Sequence, residues 1–183
     1  MIYFLLFATV LTAIAAVTDY RTGYIPNGLT LTGLAAAIAG HFAYGTASGG
    51  LAAGAEEAGL ALLGALGCAV VPLLMFRKGA MGGGDVKLFA AIGAALHPLA
   101  GLEAETYGFL AAALLAPAKL AWEGRLLVTL NNTLRLVLNP LRKKAHRKPI
   151  PEAAITWFRL GPAIFLGTAA TLVSHLFSLR SIP

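Results

Sequence analysis

The chain has one cysteine, two aspartates and little charge of either sign, and each shortage excludes something. Asp, Glu, Lys and Arg together make up 12% of its 183 residues and hydrophobic residues 58%. A soluble domain carries about 25% charged and about 45–50% apolar residues, so the composition argues against a water-soluble binding module and for an integral membrane protein. Cys68, inside an apolar block, can form no internal disulfide and no Cys-type zinc site, and reads as inert packing. His41, His97, His146 and His175 are scattered without an HExxH pair, which argues against a zinc peptidase. A GxSxG nucleophile elbow is also missing. No Lys or Arg precedes Arg21, so the first apolar block lacks the basic start of a secretory signal and is expected to be a retained span. No internal repeat stands out, and residues 1–183 read as a single domain.

What is present is a series of apolar blocks. A membrane-crossing helix needs about 20 apolar residues. Six blocks approach this, at about 2–18, 28–46, 58–76, 86–102, 104–120 and 160–178. The predicted architecture is therefore all-α, a polytopic membrane protein of six transmembrane helices. The formal net charge of +6 raises nucleic acid as a partner, but the distribution of the charges does not support it. Arg21, Arg77, Lys78, Lys87 and the cluster from Lys119 to Arg159 all fall in one set of loops. The other set holds Glu56, Glu57, Glu103 and Glu105 and no basic residue; of the fourteen Lys and Arg residues only Arg180 breaks the pattern. The positive-inside rule then puts both termini outside and the basic loops in the cytoplasm.

The segment 121–159 is one of these basic loops. Leu126, Leu127, Leu130, Leu134, Val137, Leu138 and Leu141 recur at helical spacing, which predicts an amphipathic helix in the cytoplasmic interface ending near Pro140. The following run LRKKAHRK would face anionic lipid headgroups; docking of a cytoplasmic protein is the other use of such a segment.

Asp19 closes the first apolar block in VTDYRTGYIPN, and Asp85 opens the fourth in GAMGGGDVKL. The topology puts both at the cytoplasmic ends of their spans, and they are the only aspartates in the chain. A helix-end carboxylate alone has a bland reading, because it interacts well with a helix N-terminus. Two at one depth suggest a pair sharing a proton. One carboxylate then acts as general base on a water and the other as general acid, which is aspartic-peptidase chemistry and needs no metal and no other cofactor. Gly82, Gly83 and Gly84 would let a substrate backbone approach as an added strand, although such a run is also a plain flexible loop. Lys87 either anchors the helix at the headgroups or biases the shared proton.

GGGDVKL resembles the GxGD motif of membrane aspartyl peptidases, in the version of the type IV prepilin peptidases. The first aspartate motif of that family is similar to DYRTGYIPN, with Pro26 and Asn27 seven and eight residues after Asp19. FRLGPAIFLGT at 158–168, with Gly161 and Pro162, is similar to its last-span motif. The resemblance implies a plasma-membrane endopeptidase that cuts the basic leader from pilin precursors after a glycine, on the cytoplasmic face, in type IV pilus biogenesis and protein secretion. It implies Asp19 and Asp85 as the catalytic pair, with Asn27, Gly82, Gly84 and Lys87 in supporting or substrate-binding positions. Residues 20–28 are too short for the cysteine-rich insertion of many bacterial members, so the chain resembles the short, peptidase-only form and no methyltransferase activity is expected. The expected partners are a prepilin-like protein and membrane lipid. Two alternatives stay open: an ion-coupled transporter using the aspartates as a proton or cation site, and a catalytically silent assembly protein.

Overall fold

The computed structural model describes residues 2–138 and 158–180. Among the described residues the fold is all-α: α1 (Ile2–Thr22), α2 (Asn27–Arg77), α3 (Gly83–Trp122), α4 (Leu126–Leu138) and α5 (Gly161–Arg180). Four helices are long and apolar enough to cross a membrane, Ile2–Thr22, Asn27–Arg77, Gly83–Trp122 and Gly161–Ser178.

Two of the four are interrupted. At Gly50 the backbone takes φ 80° and ψ −173°, and at His97 φ 64° and ψ 172°. The first lies in TASGGLAAG, where glycine enters a positive-φ conformation at no steric cost. The second precedes Pro98, whose ring disfavours a helical conformation in the residue before it. A positive φ at a residue with a Cβ costs about 1–3 kcal/mol, so the packing around His97 must over-determine it. These breaks correct the expected boundaries. The sequence pattern leaves a loop near 47–57, whereas helix runs on both sides of Gly50 alone. It also ends the fourth block at about 102 and opens the fifth at about 104, whereas the break lies earlier, at His97, and Glu103 and Glu105 are both helical. Glu105 is 3% exposed.

The core is centred on the first part of α3. Leu88, Phe89, Ile92 and Leu96 are fully buried, with the small residues Ala91, Gly93, Ala94 and Ala95 between them. A stretch apolar on all sides is enclosed on all sides, and its alanines and glycines let neighbouring helices come close. At Gly93 and Gly64 the backbones of α3 and α2 touch, so that a Cβ on either would overlap the carbonyl of the other. α1 packs along α5, where Thr12 and Thr168 share a hydrogen bond of 2.7 Å between buried hydroxyls. The outward side chains are large and apolar, among them Val10, Ile14, Val17, Leu63, Leu66 and Val70. Such a surface suits lipid and would be a liability in water.

The described residues fall into two compact units, the first within 1–112 and 159–183 and the second within 113–158. Within the second, α3 ends at a turn closed by the N–H of Arg125 on the carbonyl of Leu120 at 2.8 Å, with Gly124 at φ 68°. α4 follows over part of the helix expected in 121–159, with Leu127, Val128, Leu130 and Leu134 exposed. Its expected end near Pro140 and the run LRKKAHRK lie outside the described residues.

Candidate active site

The first unit closes around a cavity of about 320 Å³ lined by Asp19, Gly23, Tyr24, Ile25, Asn27, Gly82, Gly83, Gly84, Asp85 and Lys87. All six residues singled out in the sequence, Asp19, Asp85, Asn27, Gly82, Gly84 and Lys87, are in its wall. They come from the end of α1, the start of α2 and the start of α3. Short connections cause this convergence. Residues 23–26 separate α1 from α2, and residues 78–82 separate α2 from α3. Gly23 makes the first turn possible: at φ 70° it donates its N–H to the carbonyl of Asp19 at 2.8 Å. A left-handed glycine just past the last turn is a common way to end a helix.

Asp19 is 6% exposed. The backbone N–H of Gly161, the first residue of α5, donates to its Oδ2 at 2.9 Å. An oriented N–H at a helix N-terminus is a good partner for a carboxylate. Nothing larger than glycine fits at 161, where a Cβ would lie 2.8 Å from the Cβ of Asp19 and 2.9 Å from its Oδ2. Asp85 is held from its own helix. It lies in the first turn of α3 and accepts the N–H of Gly82 at 3.3 Å, as the third helical residue does when it reaches back to the N-cap. Gly84 faces Ile25, whose Cβ and carbonyl oxygen would lie 3.1 and 3.2 Å from a Cβ added there.

Lys87 and Asn27 are joined across the wall: the ammonium donates to Asn27 Oδ1 at 2.7 Å. This contact links α3 to α2 beside the aspartates. It also gives Lys87 a definite partner where the sequence left a choice between headgroup anchoring and a role near the shared proton.

Gly161 and Ile25 were not singled out for the site by sequence reasoning. FRLGP was noted as a motif, but only the fold brings its glycine onto Asp19, 142 residues away in the chain. The same element brings Arg159 over the ring of Tyr20, with the guanidinium 5.9 Å from the ring centroid. Scattered histidines also meet. His41 and His97 lie with ring centroids 4.0 Å apart, away from this cavity.

Two carboxyl groups in one pocket are the equipment for moving a proton to and from a water. The sequence model of the type IV leader peptidase family matches residues 5–117, which include both aspartates and every residue of the cavity wall. No curated protein and no solved structure matches the chain.

Proposed function

We propose a specific task for this chain, which belongs to the type IV leader peptidase family: it is a membrane aspartic endopeptidase that removes the basic leader from prepilin-like precursors. The family makes it a peptidase, and its long apolar helices make it an integral membrane protein. The observation that carries the proposal is that the only two aspartates of the chain line one cavity together with three consecutive glycines.

In this reading Asp19 and Asp85 share one proton. The ionised carboxylate takes a proton from a water, whose oxygen attacks the carbonyl carbon of the scissile peptide. The protonated partner gives its proton to the leaving nitrogen as the C–N bond breaks. Asp19 suits a fixed role, since the N–H of Gly161 orients it. The precursor's extended segment lies along Gly82–Gly84, with the Lys87–Asn27 pair setting the width of the groove.

The breaks at Gly50 and His97 support six spans, 2–22, 27–49, 51–77, 83–96, 98–122 and 161–180, within one prepilin-peptidase-like domain. Arg21, Arg77 and Lys78 flank the helix ends that carry the aspartates, which supports a cytoplasmic active site in the plasma membrane with both termini outside. α4, with its exposed leucines, then lies in the cytoplasmic interface. Co-expression with a prepilin-like precursor, followed by mass analysis of the product, tests the proposal. Cleavage directly after the leader's glycine is expected; an uncut precursor in the presence of the folded chain contradicts it.

A further inference from the structure

We propose that His41, Glu57 and His97 form a binding site for one divalent transition-metal ion of the zinc class. The three come from either side of the break in α2 and from the break in α3. Glu57 Oε2 lies 3.4 Å from His41 Nδ1 and 3.5 Å from His97 Nε2. One donor atom from each of the three residues fits within a mutual distance of 4.8 Å. A zinc ion bound at about 2.0–2.1 Å in tetrahedral geometry sets its ligand atoms about 3.3–3.4 Å apart. The two edges from Glu57 are therefore close to coordination length and long for hydrogen bonds.

The tautomer of His41 strengthens the case. Its Nε2 lies 3.0 Å from the carbonyl oxygen of Ala95. A carbonyl only accepts, so Nε2 carries the hydrogen, and in the neutral ring Nδ1 is the nitrogen left to bind a metal. Nδ1 faces the carboxylate oxygen of Glu57 at 3.4 Å, so that a cation bound between the two has a nitrogen and an oxygen ligand already in place. A ligating histidine commonly gives its other N–H to a backbone carbonyl, which is the arrangement here. His41 is 3% exposed, and neither its Nδ1 nor His97 Nε2 has a hydrogen-bond partner among the described residues. A single ion satisfies both atoms and Glu57 at once. A proton on one imidazole satisfies only one of the two edges.

The surroundings hold the three groups in place. The ring of Phe4 stacks on His41 at 3.6 Å and 6°. The backbone at Gly45 leaves room for Glu57, whose Cγ would be 2.9 Å from a Cβ there. Three protein ligands leave the fourth position for water or an external ligand. Phe4 precedes Asp19 by fifteen residues of α1, roughly 22 Å of helix at 1.5 Å per residue, so the ion takes no part in chemistry at the aspartates. The expectation of no metal came from ligand spacing in the sequence, which cannot register residues 41, 57 and 97 meeting through two helix breaks.

The test is a cobalt titration of the full chain, purified in detergent with a tag free of histidine and stripped with chelator. One Co²⁺ per chain with the strong visible absorption of four-coordinate cobalt is expected, bleached by equimolar Zn²⁺. Glu57→Gln and, independently, His97→Asn should weaken binding at least tenfold; asparagine tolerates the positive φ at 97. Glu103→Gln, in a separate histidine–carboxylate pair with His175, should leave the signal unchanged. Absence of the band in the wild-type chain, or the same band in Glu57→Gln and His97→Asn, overturns the proposal and leaves a proton-bridged bracket. The optical signal is independent of leader cleavage, so it fails or succeeds apart from the peptidase reading.

Discussion

Gly161 and Asp19 are locked together: the first N–H of α5 points at Oδ2 of the aspartate from 2.9 Å, and the missing Cβ is what allows the approach. One end of α5 thereby fixes one half of the proposed catalytic pair. The other half is fixed locally, by Asp85 reaching back to Gly82. The pair thus combines a long-range and a short-range anchor, and the two anchors can be disturbed separately.

Gly161→Ala tests the long-range anchor. The added methyl would sit 2.8 Å from Asp19 Cβ and 3.2 Å from Ala16 Cα, so α1 or α5 must shift. A displacement near 1 Å at a reacting group can cost about 100-fold in rate. A loss of that order, with helical content by circular dichroism unchanged, is expected in a leader-cleavage assay; a wild-type rate would refute the anchor.

Gly84→Val tests the close approach of the start of α3 to Ile25, beside Asp85. Even a Cβ would come to 3.1 Å from Ile25, and valine adds two methyl groups beyond it. The start of α3 must shift and carry Asp85 with it, so kcat/KM should fall at least tenfold, a loss of about 1.4 kcal/mol in transition-state stabilisation. Unchanged kinetics would show that this approach does not position the site.

Lys87 and Asn27 should act as one unit. Lys87→Met and Asn27→Ala each remove the 2.7 Å contact, and each should lower kcat/KM by about tenfold. The double variant should be little worse than either single one, since groups in direct contact are non-additive. Fully additive losses would mean that the two residues serve different purposes.

The bond between Thr12 and Thr168 should contribute to stability and not to catalysis. Polar contacts between membrane helices contribute about 0.6 kcal/mol on average and up to about 1.7 kcal/mol. Thr168→Val should lower unfolding free energy in mild detergent within that range while leader cleavage stays at the wild-type rate. A larger loss of activity than of stability would give this contact a role in the site.

Much of this was legible in the sequence because the signals are local. Asp85 and its glycines are contiguous, Asn27 follows Asp19 by eight residues, and the apolar blocks report the membrane directly. The helix breaks were less visible. Low hydropathy around Ala47–Gly50 and Glu103–Glu105 looks like loop, yet a chain of alanine, glycine and glutamate stays helical when neighbouring helices pack against it. The contact of Gly161 with Asp19, and the meeting of His41, Glu57 and His97, depend on which helices touch. Residue spacing along one chain carries no record of that.

The central claim is that both aspartates are needed for cleavage. Purified Asp19→Asn and Asp85→Asn chains, each checked for wild-type helical content, would be assayed separately against the same prepilin-like precursor. Asparagine keeps the shape and cannot take or give the proton, so each variant should fall by at least about 10²-fold, as general acid–base groups are worth about 10²–10⁴. Cleavage at the wild-type rate by either variant would contradict the paired-aspartate mechanism.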